Sequence, residues 1–128
     1  MILEGIDHVA LAVRDVARSV AWYRDVLGLE RRYSDAWGDV PSVMGIGTTS
    51  IALFPVGTHT PEPPPGRGTI AMRHLAFRST AATFVGAQQE LKRRQIPFEF
   101  QDHGISRSIY FLDPDGHQLE ITTYEIPG

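Results

Sequence analysis

The sequence predicts an α+β fold built from two βαβββ modules in tandem, and three observations carry the prediction. An alternating segment at residues 6–13 is echoed at residues 72–78, with a histidine at the matching place in each, His8 and His74. Each alternating segment is followed by apolar residues at helical spacing, then by three short apolar runs broken by turn formers. Between the two sets, residues 57–68 contain Pro61, Pro63, Pro64, Pro65, Gly66 and Gly68, a composition that continues neither a helix nor a central strand. The 128 residues therefore read as one domain, with module one at about 4–57, a Pro-rich linker at about 58–70 and module two at about 71–124.

In the first module Ile6, His8, Ala10 and Ala12 point one way, while Asp7, Val9, Leu11 and Val13 point the other. Asp15 is placed as an N-cap, and Val16, Val20, Tyr23 and Leu27 recur at spacings of four, three and four before Gly28 ends the helix. Strands are expected around residues 29–33, 43–46 and 50–56. In the second module His74 and Ala76 share one face, and Leu75 and Phe77 the other. A helix is expected over residues 81–95, capped by Ser79 or Thr80, with Phe84, Ala87 and Leu91 on one side. Strands then fit residues 98–101, 108–112 and 119–124. Between the last two, Asp113-Pro114-Asp115-Gly116 has the residue preferences of a type I turn.

Pairing His8 with His74 also aligns Ile51-Ala52-Leu53 with Leu119-Glu120-Ile121. Identity between the halves is low, so the repeat rests on pattern, and the competing reading is two unrelated halves of one α+β domain. Apolar residues make up 42% and charged residues 21% of the chain, usage that belongs to a folded globular protein and not to a disordered one. A formal charge of −3 with both signs scattered supplies no basic stripe, so nucleic acid is not expected as a partner. With no cysteine, disulfides, thiolate metal sites and cysteine nucleophiles are excluded, and any metal must sit on nitrogen and oxygen. The N-terminal residues do not read as a secretory leader, and no run approaches the roughly 18 apolar residues of a membrane span. A cytoplasmic protein without membrane contact is the expectation.

His8 and His74 are flanked by alanines on a small-residue face, which leaves space in front of each imidazole. Glu120 lies between Leu119 and Ile121 and projects to the face opposite them, where a buried carboxylate demands a partner. Two imidazoles and a carboxylate suit divalent iron, manganese, nickel, cobalt or zinc. Taken singly, a strand histidine is more often a hydrogen-bonded structural residue, and a glutamate near a strand end is more often solvated or salt-bridged. Equivalent positions in two matched modules are what favour ligation.

Three segments carry a family resemblance: Gly5-Ile6-Asp7-His8-Val9-Ala10-Leu11-Ala12-Val13, Trp22-Tyr23-Arg24-Asp25-Val26-Leu27-Gly28-Leu29, and the run from Tyr110 through Asp113-Pro114-Asp115-Gly116 to Leu119-Glu120. Together they resemble the vicinal oxygen chelate superfamily, which includes glyoxalase I, extradiol dioxygenases, fosfomycin-resistance thiol transferases and bleomycin-binding proteins. The resemblance implies a cupped mixed sheet with helices outside. It also implies metal ligands at His8, Ala52, His74 and Glu120, of which Ala52 cannot ligate. Glyoxalase I places a glutamate ligand and base where Ala52 stands, so that activity is not expected. Bleomycin-binding members generally lack the ligands, so sequestration of a small molecule without turnover is the alternative and not the leading reading.

The resemblance thus implies an enzyme, a lyase, dioxygenase or transferase, holding one divalent metal (Mn, Fe, Zn, Ni or Co) through His8, His74 and Glu120. Glu120 and Tyr110 would serve the chemistry; Tyr110 matches a tyrosine found in the fosfomycin enzymes and is expected to be a hydrogen-bond donor to substrate. Those enzymes differ from this chain in having threonine at Ala10 and a lysine and a serine at Phe100 and Gly104. His103 is the loop candidate for an additional histidine acid of the catechol-cleaving kind, beside its plainer reading as a loop residue. Trp37 is assigned either to a pocket mouth or to packing. The expected partners are a small-molecule substrate and a second copy of the chain, in a homodimer that shares the metal site.

Overall fold

The computed structural model describes residues 1–126, and the chain divides into two compact units, Met1–Glu62 and the part from Pro63 onward. In the first unit the elements are β1 (His8–Val13), α1 (Val16–Leu27), β2 (Glu30–Arg32), α2 (Ser34–Trp37), β3 (Ser42–Ile46) and β4 (Thr49–Pro55). The second holds β5 (Leu75–Arg78), α3 (Ala81–Arg93), β6 (Glu99–Asp102), β7 (Arg107–Leu112) and β8 (Gln118–Thr123). Each unit has one four-stranded mixed sheet, in the orders β1-β4-β3-β2 and β5-β8-β7-β6. First and last strands pair parallel and the other neighbours antiparallel. The α+β class and the βαβββ order are as the sequence predicts.

The helices start and stop for local reasons. The Asp15 side chain accepts from the Arg18 N–H at 3.0 Å, and Gly28 closes α1 in the left-handed region at φ 72°, which a glycine adopts without steric penalty. Thr80, not Ser79, caps α3 by accepting from the Thr83 N–H at 3.1 Å. That helix ends at Arg93, two residues short of expectation. Gln95 turns left-handed at φ 59° and the Ile96 N–H returns to the Leu91 carbonyl, a stop that no glycine announces. Helix α2 was not expected: four residues after left-handed Tyr33 are too few to show a period.

Strand alternation sorts the side chains. In β1 Val9, Leu11 and Val13 are the more buried set, whereas His8, Ala10 and Ala12 are exposed. The helix α1 lies against β3 and β4, and Tyr23, Val13, Met44, Ile51 and Leu53 are fully buried. In the second unit α3 packs on β8, with Phe84 and Leu91 buried together with Ile109, Phe111 and Leu119. Each sheet thus spends one face on its helix and leaves the other open. His74 falls one residue before β5 instead of inside it. Among the described residues no helix is long and apolar enough to cross a membrane.

Leu53 is fully buried, so Leu53→Ala should lower stability by about 2–5 kcal/mol through lost burial and the cavity left behind. Removing the α1 cap with Asp15→Ala should cost about 1 kcal/mol. Urea unfolding followed by circular dichroism measures both, and the order of the two losses is the check.

Candidate metal centre

In the second unit the register fixes what stands on the open face. Ala76 of β5 pairs with Glu120 of β8, which pairs with Tyr110 of β7, so the three lie in one row. In the adjoining row Ser108 pairs with Thr122. The Glu120 residue is 8% exposed. Its Oε2 accepts from Ser108 Oγ at 2.6 Å, and its Oε1 stands 3.0 Å from His74 Nε2. A buried carboxylate is costly without such partners, and here one hydroxyl and one imidazole supply them.

Tyr110 completes the cluster. Its ring lies edge-on to His74 at 5.8 Å between centroids, and its hydroxyl is 3.0 Å from His103 Nε2. Burial, and after it the negative charge of Glu120, push the Tyr110 phenol above its ordinary value, against a smaller opposing effect of the Ser108 hydroxyl. The phenol is therefore held as a neutral donor.

The donor set fits a divalent cation. Ligands held at about 2.0–2.2 Å and at right angles about one ion stand roughly 3 Å apart. The separation of His74 Nε2 and Glu120 Oε1 is 3.0 Å. Nitrogen and oxygen donors suit the borderline first-row metals. A hydrogen bond between a protonated imidazole and the carboxylate spans the same distance, so the pair serves either occupant. Among the described residues no third His, Asp or Glu side chain joins this pair.

His8 belongs to the first unit, where its Nδ1 lies 2.8 Å from Asp7 Oδ2 and its side chain is half exposed. With the Nδ1 proton held by that carboxylate, Nε2 is the nitrogen presented to a ligand, the usual orienting arrangement for a metal-binding imidazole. His8 pairs with Ser50, and Ala10 with Ala52, across β1 and β4. The row Ala10-Ala52-Val43 of this sheet repeats Ala76-Glu120-Tyr110 of the other, with alanine where the second unit has its carboxylate. Ala52 offers no donor. A cavity of about 270 Å³ opens over this row, with Tyr33, Trp37 and Phe54 among its walls.

The sequence groups His8, His74, Glu120 and Tyr110 in one site; the second unit brings His74, Glu120 and Tyr110 together, while His8 stands in the first unit. That grouping passed over Ser108 as a carboxylate partner, although its position two residues before Tyr110 in an alternating strand was the available signal. His103 remains in the loop after β6 but meets Tyr110, a contact between residues seven apart that no periodicity reveals. Arg32 was also missed. Its guanidinium lies over Gly45, where an added Cβ would come within 2.6 Å of Cζ, and its Nη1 is 3.5 Å from Ser50 Oγ, at the limit of a hydrogen bond. Phe100, one of the departures from the fosfomycin pattern, lies edge-on to Phe84 at 6.3 Å, a packing contact.

Two βαβββ units, each with one sheet face covered by a helix and the other left open, define a glyoxalase-type protein. The chain belongs to the Glyoxalase/Bleomycin resistance protein/Dioxygenase superfamily, whose family model matches residues 5–121. It is 29% identical to the metallothiol transferase FosB of Staphylococcus epidermidis over 94% of this chain and 84% of that protein. It is 30% identical to biphenyl-2,3-diol 1,2-dioxygenase 3 of Rhodococcus globerulus over 89% of this chain and 60% of that one. A glyoxalase/dioxygenase crystal structure from Nostoc punctiforme superposes with a TM-score of 0.77 at 26% identity, covering 94% of this chain and 90% of that one.

The Tyr110 shift has a consequence with a definite sign. In metal-free protein the folded state keeps the phenolic proton above pH 10 while the unfolded chain releases it. The contribution of Tyr110 to stability therefore declines as pH rises beyond about 10. Following the ring-carbon NMR signal of Tyr110 should give a midpoint above the ordinary phenol value, and Glu120→Gln should move it back toward that value.

Proposed function

We propose that this protein is a metal-dependent enzyme of its superfamily that binds and polarises the oxygens of a small metabolite. The ligands are His74, Glu120 and His8, with Tyr110 as the hydrogen-bond donor to substrate. The single observation that carries the reading is the buried Glu120 carboxylate, held by Ser108 and facing His74 Nε2 at 3.0 Å on an open sheet face. A divalent cation bound there acts as a Lewis acid toward substrate oxygens and stabilises negative charge developing on them. Ser108 fixes the carboxylate, Asp7 fixes the His8 tautomer, and the neutral Tyr110 phenol donates to a substrate oxygen without adding charge.

The similarity to a metallothiol transferase and to a diol dioxygenase supports metal-assisted chemistry on oxygen-bearing small molecules and leaves the reaction type to assay. Ala52 supports a chemistry other than that of glyoxalase I, because the second carboxylate base is missing. We further propose that the working form is a homodimer in which His8 of one copy joins His74 and Glu120 of the other.

Protein purified without chelators should hold metal, measured by plasma mass spectrometry, and His74→Ala and Glu120→Ala should reduce it to background. Ser108→Ala, which removes the carboxylate's hydroxyl partner, should weaken metal affinity about 10- to 100-fold. Equal and negligible metal in all three and in the parent would end the ligand assignment. Oxygen uptake by the Fe(II)-loaded protein with a catechol panel, set beside thiol consumption with electrophilic substrates, separates dioxygenase from transferase. Metal binding with ligand retention and no turnover in either assay would assign the sequestering alternative.

The shared site has its own test. When His8→Ala and Glu120→Ala chains are mixed and exchange subunits, one of the two sites in each heterodimer regains all three ligands. Metal binding should return in part. A monomer, or a dimer whose verified exchange restores no metal, would exclude the shared arrangement.

A further inference from the structure

Ser108 is fully buried and touches two side-chain oxygens, Glu120 Oε2 at 2.6 Å and Thr122 Oγ1 at 3.0 Å. A hydroxyl owns a single proton, and an ionised carboxylate can only accept one. The 2.6 Å separation falls in the range of a charge-assisted bond between a hydroxyl and a carboxylate, so the Ser108 proton goes to Glu120. The contact between Ser108 and Thr122 is then a hydrogen bond only if Thr122 donates. The other neighbour of the Thr122 hydroxyl is the Arg107 carbonyl at 3.3 Å, also an acceptor. One proton thus has two places to go, and the shorter path leads to Ser108.

The surroundings restrict Thr122. Its carbonyl accepts from the Ser79 N–H at 2.8 Å and lies 3.4 Å from Ser79 Oγ, which ties this point of β8 to the residue that follows β5. A β-branched side chain on a strand held in this way has few χ1 positions open to it. The residues beside the Ser108–Thr122 pair in the same row are turned to other partners. Arg78, paired with Thr122, sets its guanidinium 4.4 Å from the centre of the Tyr124 ring, and Gln101, paired with Ser108, donates from Nε2 to Glu99 Oε1 at 3.1 Å.

We propose that Thr122 is a positioning residue for Glu120: it donates its hydroxyl proton to Ser108 Oγ, so that Thr122, Ser108 and Glu120 form one directed chain of hydrogen bonds. Each bond in such a chain polarises the next, so the proton from Thr122 strengthens the Ser108 bond to the carboxylate and fixes the rotamer from which that bond is made. With Oε2 held, Oε1 stays turned toward His74 Nε2 at 3.0 Å. The proposal rests on the metal-dependent reading for its effect on metal affinity, whereas the chain of hydroxyls belongs equally to the metal-free protein.

The test begins with metal-free full-length protein carrying glutamate labelled with ¹³C at the carboxylate, the Glu120 signal being assigned through Glu120→Gln. Thr122→Val keeps the branched shape and removes the proton. The Glu120 signal should move in this variant, by less than in Ser108→Ala, and Thr122→Ser should return it toward the parent position. Added to Ser108→Ala, Thr122→Val should move it no further, because the link between the two residues is already gone. Mn²⁺ titrated calorimetrically into chelator-stripped protein should bind about two- to fivefold more weakly to Thr122→Val, with most of the loss restored in Thr122→Ser and none added on top of Ser108→Ala. Should the valine variant not fold, Thr122→Ala takes its place under the same criteria. A Glu120 signal that ignores Thr122→Val, or that moves equally with and without Ser108, would overturn the directed chain. Unchanged Mn²⁺ affinity in Thr122→Val beside a parent that binds the ion would overturn the positioning role. A parent that binds no Mn²⁺ while its Glu120 signal responds as expected would lose the metal reading alone.

Discussion

Each unit depends on the parallel pairing of its first strand with its last. Such a pair cannot be closed by a tight turn and requires a crossover, and the intervening helix and two strands supply it. The pairing also fixes the chemistry. It sets Ala10 beside Ala52 and Ala76 beside Glu120, and it brings residues more than 40 positions apart in the chain to neighbouring places on one face. A slip of one residue in either pair would exchange the helix-covered and open faces of that sheet, and in the second unit it would send Glu120 into the apolar layer, so the burial of Leu119 and Ile121 is also what holds the carboxylate on its own side.

Within the second unit the electrostatics follow from that placement. Glu120 is kept from water by the strands on both sides of it, and its two oxygens are divided between unlike partners, a hydroxyl on one and an imidazole on the other. The division leaves the carboxylate oriented and still open on the His74 side. Tyr110, across the strand pair, feels the same negative charge and answers it by keeping its proton. The neutrality of the phenol follows first from its burial and then from the nearness of that carboxylate.

Much of this was legible in the residues. The alternation of small and large side chains around His8 and His74 gave the faces of β1 and β5, the α1 cap at Asp15 is where the sequence places it, and Thr80 is one of the two caps offered for α3. Asp113-Pro114-Asp115-Gly116 forms its turn, with the Gly116 N–H donating to the Asp113 carbonyl at 3.1 Å. What escaped the sequence depends on geometry that no period encodes. Tyr33 and Gln95 turn left-handed without being glycine, and so helix α2 and the end of α3 went unread. The meeting of His103 with Tyr110, and the reach of Arg32 to Ser50, depend on how long side chains lie across strands, which spacing alone does not determine.

Gly45 contributes no functional group, yet it is the bed on which the Arg32 guanidinium rests, and any side chain at that position would compete with it for the same volume. The obstructing atoms are the far end of a flexible arm, so the outcome of a substitution there would be relocation of the cation and not collapse of the sheet. The positive charge beside Ser50 is in this sense adjustable from a neighbouring backbone position. A change from glycine to alanine at position 45 would retune the field over the His8 end of the sheet while leaving every charged and ligating residue in the chain unaltered.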